Sequence, residues 1–327
     1  MIKNRWCPLA LWAAVMLLLG CFLYASYCER TQVDIVATSD SLTMKISDID
    51  VNWSPIKINS LDIITSAQID GDVDTLNGAS ARFDRVAFEG IGVALDLQPF
   101  KLRQNDTLSI RRLSGADNLF EFTITPDPVK NANSETARPF PTELTLITLG
   151  TLKLDITDAK PRILTSDHPR SVRVLMYDSK RVFRFRLAES DLLQTEPFQV
   201  SAISFFDAIE QTRPTPFSTI RDGSIRFEHI IAASGNKEKQ LRSGEPLQIG
   251  RLENGYVRTV RLSDSGIYMG YFGDVLSLEN VWRDYKSNLM PTRFERWASD
   301  PAVVAYATLV ATILGVIAAG MALVSGN

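Results

Sequence analysis

Two uncharged apolar runs set the outer limits of what this chain can fold into. One covers Trp6–Cys28 and the other Pro301–Val324. About 20 apolar residues cross a bilayer as a helix at 1.5 Å per residue, so each run is long enough to span. The sequence therefore predicts a two-span membrane protein with its middle region held on one side, tethered at both ends. Residues 1–5 and 325–327 are then short tails on the opposite side.

The first run resembles a cleavable leader in part. Lys3 and Arg5 give it a basic start, and Leu18-Leu19-Gly20-Cys21 approximates a bacterial lipobox in which Cys21 would carry lipid. The apolar character continues past Cys21 through Phe22, Leu23 and Tyr24, which favours a retained helix. Lys3 and Arg5 also favour a cytoplasmic N-terminus, which places the middle region in the periplasm of a bacterial inner membrane and the tail in the cytoplasm. Arg283, Lys286, Arg293 and Arg296 before the second run pull the other way. The first helix usually dominates, and long domains translocate despite their charge.

A formal net charge of -3 excludes the broad basic surface of a nucleic-acid binder. All three cysteines, Cys7, Cys21 and Cys28, belong to the first run, so the middle region has no disulfide and no thiolate metal site. The two histidines lack neighbours for a triad or zinc site: His168 sits in a turn-like Ser-Asp-His-Pro and His229 in an alternating strand. Asp70, Asp72 and Asp74 alternate as calcium ligands can, but the glycine and terminal glutamate of an EF-hand loop are missing. No catalytic residue, cofactor or metal is expected.

The middle region reads as mainly β: a large β-sandwich or curved sheet between two terminal transmembrane helices. Phe183, Phe185 and Leu187 alternate with Arg184 and Arg186, and Ser171–Tyr177 precedes them across Asp178-Ser179-Lys180, which predicts a hairpin. Parity switches at Gly90, between Val86/Phe88 and Ile91/Val93/Leu95/Leu97. It switches again between Met44/Ile46 and Ile49/Val51/Trp53. A period of two absorbs such a slip only through a bulge or bend. Ser204–Gln211 and Val281–Ala298 leave room for short helices, and Ser234–Pro246 reads as a polar loop. The proline-rich stretch 126–141 divides a β-module at 31–125 from another at 142–280, or forms a long loop within one sandwich.

Three residue sets are candidates for contact. Arg173, Lys180, Arg181, Arg184 and Arg186 concentrate positive charge, as a surface for an anionic partner or as a solvated strand face. Ala307, Ala311, Gly315 and Ala319 recur every four residues, a spacing that lets membrane helices approach closely. Trp282, Tyr285, Arg293, Arg296 and Trp297, within the juxtamembrane stretch 281–300, join apolar bodies to polar tips and suit the headgroup level. The expected role is non-catalytic: a membrane-complex subunit whose β-region braces a partner. The expected partners are the lipid bilayer, other membrane subunits or a second copy. The alternative is a lipid-handling groove that shelters acyl chains, with lipid as its ligand.

Overall fold

The computed structural model describes residues 16, 30–71, 81–114, 118–127, 140–158, 162–166, 170–188, 196–206, 218–232, 235–282 and 285–325. The first apolar run, apart from Met16, lies outside them, as do His168, Asp72 and Asp74.

Alternating apolar residues generate strands through the whole middle region. In chain order these are β1 (Thr31–Ser39), β2 (Ser41–Ile46), β3 (Asp50–Trp53), β4 (Ile56–Ile63), β5 (Ala67–Gly71), β6 (Ala81–Phe83), β7 (Arg85–Ile91), β8 (Leu95–Leu97), β9 (Phe100–Arg103), β10 (Thr107–Arg112) and β11 (Leu119–Thr125). They continue with β12 (Thr142–Thr148), β13 (Thr151–Thr157), β14 (Arg162–Ser166), β15 (Arg170–Met176), β16 (Arg181–Leu187), β17 (Phe198–Ser204) and β18 (Ile220–Ala232). The last are β19 (Gly235–Leu241), β20 (Leu247–Ile249), β21 (Leu252–Ser263), β22 (Gly266–Val275), β23 (Leu278–Trp282) and β24 (Tyr285–Asn288), followed by helices α1 (Arg293–Ser299) and α2 (Pro301–Ser325). The protein is mainly β. Twenty-two strands form one continuous antiparallel sheet, and β3 pairs with β9 beside it.

Many of these strands are pieces of longer courses. β4 and β5 form one course, and β6, β7 and β8 run antiparallel along it. β12 and β13 follow β8 and β7, and with β11 they make a third course. β14, β15 and β16 accompany β13, β12 and β11 as a fourth, which returns to pair with β5 and β4. The pairing circuit of these four courses therefore closes. Ile58, Ile63, Val86, Phe88, Leu97, Ile156, Val174 and Met176, one to three from each course, are fully buried.

From β11 the sheet continues through β10, β2 and β17 to β20, β23 and β24. β17 also joins a second layer ordered β21, β22, β1, β18, β19. The layers meet at a hydroxyl knot, where the Ser39 and Thr219 side chains lie 2.7 Å apart and Ser39 Oγ donates to the Ser41 carbonyl.

The parity slip at Gly90 is real and has a local cause. β7 stops at Ile91 and β8 starts at Leu95, yet both lie along β4. A Cβ on Gly90 would sit 2.1 Å from the Val93 carbonyl oxygen, and Gly92 has φ +74°. Only glycine fits both demands. The second slip is also a bend, between β2 and β3, but Ile49 points outward at 78% exposure instead of joining Val51 and Trp53 in the core.

Several expectations need correction. The predicted hairpin of Ser171–Tyr177 with Arg181–Leu187 does not form: β15 pairs with β12 and β5, whereas β16 pairs with β11 and β4. The two strands run on along the same neighbours, and 177–180 is a kink between them. The loop expected at Ser234–Pro246 contains β19, whose charged residues are held in a strand by pairing with β18. Within Val281–Ala298 the short helix expected there does form, at Arg293–Ser299, started by a capping box between Thr292 and Glu295, while the stretch before it is the β23–β24 hairpin. Ser204 ends β17, and 207–211 lie outside the described residues.

Strands from either side of 126–141 pair with one another, as in β1 with β18 and β22, β2 with β17, β4 with β16 and β7 with β13. The proline-rich stretch leaves the third course after β11 and rejoins it at β12, so it interrupts one course and does not separate two sheets. Two terminal transmembrane helices are not found: among the described residues, no helix is long and apolar enough to cross a membrane. The side chains of Ile313, Leu314 and 317–325 are outside that statement, because α2 is described there as backbone only.

Candidate functional site

The arginine-rich strands β15 and β16 hold the densest charge predicted from sequence, and the fold distributes it differently from a free basic face. Arg181 is 2% exposed. Its guanidinium donates to the Phe140 carbonyl, to Thr142 Oγ1 at 2.6 Å and to the Asp178 carbonyl at 3.1 Å. Burial pushes its pKa below the usual guanidinium value, opposed by the charge of Asp106. Burial pushes the Asp106 carboxyl up, opposed by the Arg103 backbone N–H it accepts at 2.9 Å and by Arg181. Arg103 in turn lies 3.9 Å over the Phe140 ring. Asp106 also accepts from the Asp127 backbone, so the two ends of the proline-rich stretch are held by two buried groups of opposite charge, Asp106 at one and Arg181 at the other.

The other arginines are matched from neighbouring strands. Arg173 on β15 meets Glu143 on β12 at 2.8 Å and Asp70 on β5 at 3.7 Å. Its hydrogen bond holds the Glu143 carboxyl below the usual glutamate range. Arg184 on β16 meets Glu121 on β11 at 2.7 Å. Of the five predicted residues, one is buried, two are paired with carboxylates, and Lys180 and Arg186 face solvent.

The juxtamembrane set is divided by the β23–β24 hairpin. Trp282 pairs with Tyr285 at its turn, while Leu289 at its other end donates to Leu278 and leads into α1. Tyr285 therefore stands at one end of β24, and Arg293, Arg296 and Trp297 follow from the other. Tyr285, Arg293, Arg296 and Trp297 are all exposed; the Trp282 side chain is outside the described residues. On α2, Ala307, Ala311 and Gly315 are exposed along one face, and the Ala319 side chain is not described. Among the described residues no cluster of His, Cys, Asp and Glu side chains converges to hold a metal.

Sequence reasoning missed a second buried carboxylate. Glu245 accepts from Lys239 Nζ at 2.6 Å, from the Arg242 backbone at 2.9 Å and from Asn280 Nδ2. Burial raises its pKa, but the three donors and the Lys239 charge outweigh that and leave it below the usual glutamate value. A depressed folded pKa means the stabilisation is present above the unfolded pKa, about 4.3, and is lost as pH falls through the folded value. Glu245→Gln is therefore expected to lower the midpoint of thermal unfolding at pH 7 and to flatten its decline in the acid range. A variant with the same acid slope as the parent would show that other carboxylates set it.

No protein-family model and no curated protein matches the chain.

Proposed function

We propose that this is a non-catalytic two-span protein of the bacterial inner membrane, whose periplasmic β-body binds or braces a partner within a membrane complex. The observation that carries the reading is where the β-body begins and ends. Arg30 enters β1 beside Asp274 and Glu253. α1 leaves the body at Lys237, whose ammonium reaches Glu295 at 2.5 Å. Lys237 pairs across β18 with Phe227, which faces Val33, three residues beyond Arg30. Both tethers thus depart from the same end of the second layer, as a body anchored twice to one surface requires.

α2 supports the same reading. It is 25 residues long with no charged side chain, and Tyr306, Leu309 and Val316 are 57–70% exposed. Contiguous apolar surface of this kind is costly in water and natural in lipid.

The bracing role is favoured over a lipid groove by the state of the core. A groove needs an apolar lining open to ligand. Phe183, Phe185 and Leu187 are at most 3% exposed, under a cluster of Trp53, Phe100, Phe122 and Phe198.

Alkaline washing of membranes should leave the protein in the pellet, and purification in mild detergent should recover it with protein partners. Release by the wash would sink the membrane reading. Stoichiometric phospholipid retained by the β-body, without a protein partner, would favour the groove.

A further inference from the structure

We infer that the braced partner docks on the outward face of the second layer, around Gly270 of β22, and that it presents a carboxylate beside an apolar side chain to Arg261. The inference rests on the bracing reading above and adds the place of contact and the chemistry of the partner.

Side-chain alternation gives β21, β22 and β1 two faces. Val257, Val260, Met269, Tyr271, Ile35 and Ala37 are buried on one. On the other, Arg261, Tyr268 and Thr38 share a row across the three strands, Thr259, Gly270 and Val36 the next, and Tyr256, Phe272 and Asp34 a third. Tyr256 is 37% exposed, so this face opens to solvent.

Two arginines three residues apart on a regular strand face opposite ways. The register shift between Val257 and Thr259 turns Arg258 and Arg261 outward together. The Arg258 guanidinium carbon lies 6.0 Å from the centre of the Phe272 ring, and its Nη2 pairs with Asp34. The Arg261 guanidinium carbon lies 5.6 Å from the centre of the Tyr268 ring.

The two arginines differ in what they meet. Arg258 has a carboxylate. Among the described residues Arg261 has neither ion pair nor hydrogen bond, and its Nε is shielded from water with no acceptor. The carboxylate in its own row, Asp222 of β18, is three strands away, about 14 Å. A shielded donor without an acceptor costs stability, and an ionised acceptor offsets that with a charge-assisted bond. The Tyr268 ring takes the flat side of the guanidinium, so its N–H edge is left for a ligand, a fork that fits the two oxygens of a carboxylate.

The surroundings favour a protein over an anionic bilayer. Asp34, Asp222 and Asp274 share this face, so it lacks the cluster of unopposed cations that anionic lipid attracts. Half-buried Val36 and Phe272 form an apolar floor beside the arginine. Aromatic and arginine side chains are the types that carry most of the energy of protein interfaces.

The test uses the full chain in mild detergent and two end-blocked, dye-labelled peptides, one of alternating aspartate and valine, the other with asparagine for aspartate. Anisotropy should show the aspartate peptide bound roughly ten-fold more tightly, the gain of one charge-assisted pair. Arg261→Met should abolish the preference, and Lys101→Met, which removes an exposed charge on β9, should keep it. The thermal midpoint of Arg261→Met should be unchanged or raised, because no fold contact except the Tyr268 ring is lost. Equal binding of the two peptides, a preference that survives Arg261→Met, or a midpoint lowered by several degrees would each overturn the inference. Displacement of the peptide by short-chain phosphatidylglycerol at a lower concentration than by unlabelled peptide would give the site to lipid phosphate and overturn the protein partner. In the detergent purification above, Arg261→Glu should release the protein partner. A partner retained by that variant would overturn this surface and leave the bracing reading intact, whereas a parent chain that recovers no protein partner would defeat the reading itself.

Discussion

Phe122→Ala is expected to destabilise the β-body by about 3–5 kcal/mol, the range for removing a large aromatic from a packed core. Phe122 is fully buried, with its ring 5.5 Å from Trp53, 6.3 Å from Phe100, 5.5 Å from Phe183 and 5.0 Å from Phe185. It is the ring shared between the β3–β9 pair and the β11–β16 strands, so no single neighbour can collapse into the space it leaves. Urea unfolding of the full chain in detergent measures the loss, with Trp53 as a nearby fluorophore. Phe122→Leu, which keeps most of the volume, should cost roughly 1 kcal/mol. A loss below 1 kcal/mol for Phe122→Ala, with co-purified lipid disappearing, would mean that these rings line a ligand groove.

Arg181→Met is expected to be comparably severe, about 3–5 kcal/mol, because it leaves buried acceptors without their donor and a buried carboxylate without its nearby cation. The Phe140 carbonyl and Thr142 Oγ1 lose their donor, and Asp106 loses its nearby cation. The sign of the pH dependence follows. Burial already raises the Asp106 carboxyl, and without Arg181 it rises further. A raised folded pKa means the ionised form is the destabilised one, so the defect should shrink as pH falls through that value and Asp106 becomes neutral. Adding Asp106→Asn to Arg181→Met should recover part of the loss at pH 7, and the double-mutant cycle gives the coupling. A loss under 1 kcal/mol that is flat with pH would show that Arg181 and Asp106 do not hold the two ends of the proline-rich stretch.

The alternation in Arg181–Leu187 was legible as a strand with a phenylalanine face, and Phe183, Phe185 and Leu187 are all buried. Its hairpin partner was not legible. Asp178-Ser179-Lys180 has turn chemistry, which sets a local change of direction but not whether the next strand folds back or continues along the same neighbours. The five basic residues were legible as a cluster. The pairing of Arg173 with Glu143 and Asp70, and of Arg184 with Glu121, was not, since those carboxylates come from β12, β5 and β11. The Thr292-Arg-Phe-Glu295 capping box is present in the sequence and marks the start of α1.

By itself the sequence determined the mainly β character, the parity slip that Gly90 and Gly92 accommodate, and the helical course of the second apolar run. Each depends on side chains within a few residues of one another, through the period of a strand, the steric allowance of glycine or the continuity of an apolar stretch. Tertiary structure alone decided the closed circuit of four courses, the burial of Asp106 and Arg181 near the two ends of the proline-rich stretch, and the placing of α1 against Lys237 of the second layer. A strand's periodicity fixes which face is buried but leaves both edges free to pair. The choice of neighbour is made by backbone hydrogen bonds and cores assembled from residues far apart in the chain.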